Sequence, residues 1–200
     1  NGYYIEINDR VSWFQRDMTK EIGIHLYNNQ DYQGIAGEFY ADKTYEGCYG
    51  SFVVDSTRID EELRGTGVGA LIYDIAVELA AKNGIASDRR VVSNMAFPMY
   101  EYMKNNPDLY NIKPIDATGN DGQGVYTPGD PWDDCHSMSW FDYDKESRRK
   151  YDKGFPAGWD WENIPRDIFI SSPLNNVYVK KDQSMPTVKC LQEKGLLKVQ

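Results

Sequence analysis

Up to residue 59 the apolar residues come in short runs rich in β-branched and aromatic side chains. These are Tyr3-Tyr4-Ile5-Glu6-Ile7, Ile22 to Tyr27, Ile35 to Tyr40 and Cys48 to Ile59. Turn-forming stretches, Asn28-Asn29-Gln30-Asp31 and Asp42 to Gly47, separate the later runs, so this third of the chain reads as an antiparallel meander. A short helix over Val11 to Met18 is expected within it. Beyond residue 60 the period changes. Val68, Leu71, Ile72, Ile75 and Leu79 recur at helical spacing and predict an amphipathic helix from about Gly67 to Asn83. Lys82 in its last turn and Gly84 just after it read as the C-terminal cation and the left-handed cap.

The remaining elements are shorter. Arg89 to Ser93 reads as a strand, and Ala96 to Lys104 as a second helix. Pro98 fits only in that helix's first turn, and Pro107 lies past its end. Asp167 to Ile170, Val177 to Lys180 and Leu196 to Val199 read as strands, with a helix opening at Pro186. Between Asp116 and Glu162 regular periodicity is lost. That stretch holds eleven Asp or Glu against five Lys or Arg, together with Trp132, Trp140, Trp159 and Trp161. It is too aromatic for a solvated linker, so residues 116–163 are expected to form an ordered insertion or lid in a single domain spanning 1–200. The expected fold class is α+β, with a mixed, splayed central sheet flanked by helices.

Composition narrows the function. A chain of 200 residues with 40% hydrophobic and 14% aromatic residues can bury a sizeable core. The net charge of −9 opposes phosphate backbones and favours cationic partners such as amines, so no nucleic-acid partner is expected. No apolar run reaches membrane-spanning length, and Asn1-Gly2-Tyr3-Tyr4 does not read as a secretory signal. Cys48, Cys135 and Cys190, odd in number and far apart, point to a reducing, cytoplasmic setting. The tempting run Asp133-Asp134-Cys135-His136 lacks metal-ligand spacing, so no metal is expected.

One constellation carries chemistry. A strand ending at Ile59 is followed by an acidic turn and then by Arg64-Gly65-Thr66-Gly67-Val68-Gly69-Ala70, which opens the amphipathic helix. Glycines allow close backbone approach, and a helix start offers unpaired N–H groups and positive dipole, so the expected guest is a phosphate. A Walker loop would need Gly-Lys-Ser/Thr after its second glycine, where this chain has Val68-Gly69-Ala70. A dinucleotide fingerprint would need another glycine spacing and a parallel unit rather than a meander.

Arg64-Gly65-Thr66-Gly67-Val68-Gly69 resembles the Arg/Gln-x-x-Gly-x-Gly/Ala loop of the GNAT superfamily of N-acetyltransferases. Ala96, Met99, Tyr100 and Glu101 resemble the helix that follows in that family, with Ser93 where the family usually has Asn. The likeness covers roughly Gly50 to Lys104. It implies acetyl-CoA as acyl donor, its pyrophosphate held by the amides of Arg64 through Ala70, and its pantetheine arm paired with the backbone of Thr57, Arg58 and Ile59. It also implies direct attack by an amine acceptor and protonation of the leaving thiolate by Tyr100, with Tyr102 as rival. Asp55, placed by alternation on the face of Thr57 and Ile59, is the first choice for the base, and Glu38 the second. The chain departs from the family on the acceptor side, having only about a dozen residues between the first two strands and the acidic insertion downstream. A non-catalytic structural or interaction protein on the same fold, of the kind viral genomes carry, is the alternative. Oligomerisation is left open.

Overall fold

A computed structural model describes residues 2–11, 20–28, 34–43, 50–88, 92, 95–114, 173–174 and 176–199. The chain runs β1 (Tyr3–Val11), β2 (Lys20–Asn28), β3 (Ile35–Lys43), β4 (Phe52–Ile59), α1 (Val68–Ala80), β5 (Ile85–Ala86), α2 (Phe97–Asn105), β6 (Tyr110–Pro114), β7 (Asn176–Lys180), α3 (Pro186–Glu193) and β8 (Leu197–Val199). The eight strands form one sheet in the order β6-β7-β5-β4-β3-β2-β1-β8. The protein is therefore α+β, with a mixed sheet and three helices among the described residues.

The meander is present: β1 through β4 pair antiparallel in sequence order. Two parallel contacts make the sheet mixed, β1 with β8 and β4 with β5. Ile5, Ile7, Ile22, Ile24, Leu26, Phe39 and Val54 project from one face into the core. All three described helices pack into that same core, through Ile72 and Ile75 of α1, Tyr100 and Met103 of α2, and Val188 and Leu191 of α3.

Helix α1 uses the face its periodicity predicts. Ile72 and Ile75 are fully buried, while Val68, Leu71 and Leu79 flank them, partly buried. At roughly 1.5–3 kcal/mol for each large apolar side chain removed from water, that stripe anchors the helix. Tyr73, Ala76 and Val77 widen the buried face beyond the predicted stripe.

Several expectations are corrected. Val11 closes a strand, and the rest of the helix expected there, residues 12–18, lies outside the described residues. The regular helix ends at Ala80, and a 3₁₀ turn covers Ala81–Asn83. Gly84, at φ 72° and ψ −179°, is not a left-handed helix cap. It is the point where the backbone slides against β7: a Cβ there would lie 2.5 Å from the Tyr178 carbonyl oxygen and 2.6 Å from Val179 Cγ2. A two-residue strand not expected from the sequence, Ile85–Ala86, follows that glycine directly and pairs with β4. Residues 89–91 and Ser93 lie outside the described residues, as do the insertion 116–163 and the expected strand 167–170. Strand β6 had no clear alternation to announce it; it pairs with β7, and Pro114 at its end donates no ladder hydrogen bond. No described helix is long and apolar enough to cross a membrane.

Candidate functional site

The site is built along β4 beyond its short ladder with β5. Its ladder with β5 consists of two pairs, Phe52↔Ile85 and Val53↔Ala86. From Val54 to Ile59, β4 is laddered only to β3 among the described residues. Along that stretch one edge of the strand has no ladder partner among the described residues.

The register of β4 is irregular in this stretch. Val54 pairs with Ala41 and Ser56 with Tyr40, so Asp55 is an extra residue in a β-bulge. The bulge resets the alternation. Phe52 and Val54 face the helices before it, and after it Thr57 reaches Tyr73 of α1 while Ile59 packs against the core. The strict period-two reading that put Asp55 on the face of Thr57 and Ile59 is corrected accordingly. Asp55 is solvent-exposed. Together with burial, which is the larger cause, it pushes the nearby Asp42 carboxyl above its usual range. Glu38 stands on β3 opposite His25 on one side and Arg58 on the other, and His25 hydrogen-bonds the Tyr40 hydroxyl.

After Ile59 the chain makes a 3₁₀ turn at Glu61–Leu63 and enters the glycine loop. Two of the expected amide donors are used internally: Arg64 N–H donates to the Glu61 carbonyl at 3.2 Å and Thr66 N–H to the Leu63 carbonyl at 3.3 Å. The Thr66 hydroxyl donates to the same Leu63 carbonyl at 2.6 Å, and Arg64 Nε donates to the Ile59 carbonyl at 3.1 Å. These bonds fold the loop back on the strand end. The amides of Gly65, Gly67, Val68, Gly69 and Ala70 have no backbone acceptor among the described residues, and no side chain caps α1.

Gly65 and Gly67 have φ values of 76° and 92°, which a side chain would strain. A Cβ on Gly65, Gly67 or Gly69 would meet nothing within 4 Å, so open space faces the loop backbone. Arg64 is the loop's own cation. Asp60, Glu61 and Glu62 precede it and oppose an anion, so any anion held here depends on the amides and the α1 dipole.

Tyr100, the expected proton donor, is 1% exposed, deep in the core. Burial and then the neighbouring Tyr73 push its phenol well above the ordinary tyrosine range. Tyr102 is exposed on the other side of α2. It lines a groove of about 440 Å³ between α1, α2 and β6, with Ala70, Tyr73, Asp74, Met99 and Leu109.

Sequence reasoning missed Tyr73. Its hydroxyl lies 3.4 Å from the Thr57 hydroxyl, which donates to it, and 3.4 Å from the Tyr100 hydroxyl. The available signal was a polar-tipped aromatic beside the apolar stripe of α1, and nothing local marked it as more than packing.

A second polar cluster closes the far end of α1. Lys180 Nζ lies 2.6 Å from Asp74 Oδ1 and 2.7 Å from Glu78 Oε1. The buried Glu78 carboxylate accepts Thr187 N–H at 3.0 Å and Val188 N–H at 2.9 Å, and Asp74 accepts the Thr187 hydroxyl. Burial lowers the Lys180 ammonium, but the two carboxylates outweigh it and hold it above an ordinary lysine. Among the described residues, no group of three His, Cys, Asp or Glu side chains is placed to hold a metal ion. The run Asp133 to His136 lies outside them.

No protein-family model matches this chain, and neither a curated protein nor a solved structure does.

Proposed function

We propose that this protein is an acyl-CoA-dependent N-acyltransferase that moves an acetyl group from acetyl-CoA to an amine. One observation carries the reading: the edge of β4 that has no ladder partner among the described residues runs directly into a glycine loop with open space at its Cα positions and with amides that have no backbone acceptor there. An extended chain ending in a pyrophosphate suits that continuity. A pantetheine arm would pair with the backbone of Thr57 to Ile59, and the pyrophosphate would take the amides of Gly65, Gly67, Val68, Gly69 and Ala70. The Arg64 and Thr66 amides, spent within the turn, hold the loop in shape. Ser93 keeps its assignment only from the family likeness.

Starting from the ammonium form of the acceptor, transfer takes one proton off nitrogen before it attacks, a second as the amide forms, and puts one onto the leaving sulfur. Asp55, exposed at the bulge of β4, is the proposed base, with Glu38 behind it on the neighbouring strand. The acid belongs to the tyrosines behind Thr57, where the family likeness points to Tyr100. The net charge of −9 favours a cationic acceptor in the surrounding field.

Calorimetric titration with acetyl-CoA tests the reading. Saturable binding in the micromolar range is expected. No binding at high micromolar concentration overturns it and leaves the non-catalytic interaction protein as the better account.

A further inference from the structure

We infer that Tyr73, and not Tyr100, passes the proton to the leaving sulfur, while Tyr100 acts through it as a positioning residue. The inference rests on the acyl-CoA reading above and asks which side chain meets the reacting atoms.

The geometry orders the hydroxyls. Thr57 lies on the strand edge proposed to hold the donor's arm, Tyr73 touches Thr57, and Tyr100 touches Tyr73 from behind. Tyr73, 2% exposed overall, lines the groove that also includes Ala70, whereas Tyr100 does not. Tyr100 is enclosed by the rings of Tyr73 at 5.7 Å and Tyr178 at 6.2 Å. The Tyr178 hydroxyl is committed to the Pro173 carbonyl at 2.6 Å, so it does not serve Tyr100.

Hydrogen-bond direction points the same way. The Thr57 hydroxyl donates to the Tyr73 oxygen. The 3.4 Å contact between the Tyr73 and Tyr100 hydroxyls fits either direction, and we take Tyr100 as its donor. With both neighbours donating to it, the Tyr73 oxygen keeps its own proton for a third group. Once that proton leaves, two donors hold the phenolate. A phenolate on Tyr100 would have one hydroxyl neighbour, Tyr73, and the Asp88 carboxylate opposes a charge on either phenol. Burial raises Tyr73, and the bonds from Thr57 and Tyr100 counter that rise.

The step balances. The amine nitrogen bonds to the thioester carbon, the carbon–sulfur bond breaks, and its electron pair goes to sulfur. Sulfur takes the Tyr73 proton and leaves as a thiol. The amine's proton goes to the base, and water returns an equivalent proton to the phenolate.

The test uses the full chain labelled with ¹³Cζ-tyrosine and titrated with CoA and with desulfo-CoA, which differ only at the sulfur. The Tyr73 and Tyr100 signals are identified by their loss in Tyr73→Phe and Tyr100→Phe. Thr57→Val, which moves the Tyr73 signal without touching the ring, identifies it should Tyr73→Phe not fold. The expected result is a Tyr73 signal that shifts with CoA and not with desulfo-CoA, and whose shift shrinks at least about twofold in Tyr100→Phe. A Tyr100 signal that responds while Tyr73 stays still overturns the inference. Calorimetric binding of both compounds with neither signal discriminating them overturns it too, leaving the acyl-CoA reading intact. Failure of both compounds to bind removes that reading and the inference with it.

Discussion

Helix α3 begins against a carboxylate supplied by the chain itself, whereas α1 begins at an open glycine turn. At α3 the buried Glu78 takes the amides of Thr187 and Val188, and Lys180 balances its charge. At α1 the first amides meet no side-chain cap, and the glycines before them keep the approach clear. Both helix starts present the same partial positive charge. One is satisfied inside the fold, where an unmet donor would cost about 1–3 kcal/mol. The other lies at the surface, where water or a ligand can meet it at no cost to stability. The contrast separates a helix start closed within the fold from one left without a side-chain cap.

The largest effect is expected from removing the internal cap. Glu78→Ala strands two amides and takes one of two carboxylates from Lys180, which should cost about 3 kcal/mol. For a chain of this size that is a fall of roughly 6–12 °C in Tm. A loss below about 1 kcal/mol, read by denaturant titration, would mean that α3 needs no anion and that the contrast is empty.

Next comes Gly67→Asp, which gives α1 a carboxylate of its own. Its Cβ meets nothing within 4 Å, so the fold should survive the strain of φ 92°, about 1–2 kcal/mol. Affinity for acetyl-CoA should fall at least about tenfold, or 1.4 kcal/mol. Unchanged affinity in calorimetry would place the donor elsewhere.

The smallest effect is in alkaline solution. The Lys180 ammonium titrates above an ordinary lysine because its carboxylates outweigh burial. Its contribution is therefore complete below the unfolded lysine value of about 10.4 and is lost as pH rises through the folded value. The buried tyrosines lose stability in the same window, so the Lys180 share is the difference between the parent protein and Glu78→Gln across that range. It should stay under about 1 kcal/mol, and no difference at all would detach Lys180 from the cap.

Much of this was legible along the chain. The apolar spacing from Val68 to Leu79 placed α1 and its buried face, because a helix must hide one stripe and the period of that stripe is written locally. Pro98 and Pro107 bracketed α2 for equally local steric reasons. The loop from Arg64 to Ala70 was legible because only glycine takes its backbone geometry without strain. What failed lacked a period. Two residues of β5 carry no alternation, and the bulge at Asp55 shifted the faces of β4 without any change in composition to announce it.

The sequence by itself determined where the three described helices lie, which early runs are strands and where the backbone takes positive φ at Gly65 and Gly67. Only the tertiary structure decided that Gly84 is pressed against β7 while Gly67 faces open space, though both are glycines at positive φ beside the same helix. It also decided that Thr57, Tyr73 and Tyr100, from three separate elements, share one line of hydroxyls, and that Glu78 of α1 caps α3. The physical reason is range. Helix period, turn chemistry and glycine strain act over a few neighbouring residues, whereas hydroxyl contacts and buried ion pairs act through space between segments that only sheet register and packing bring together.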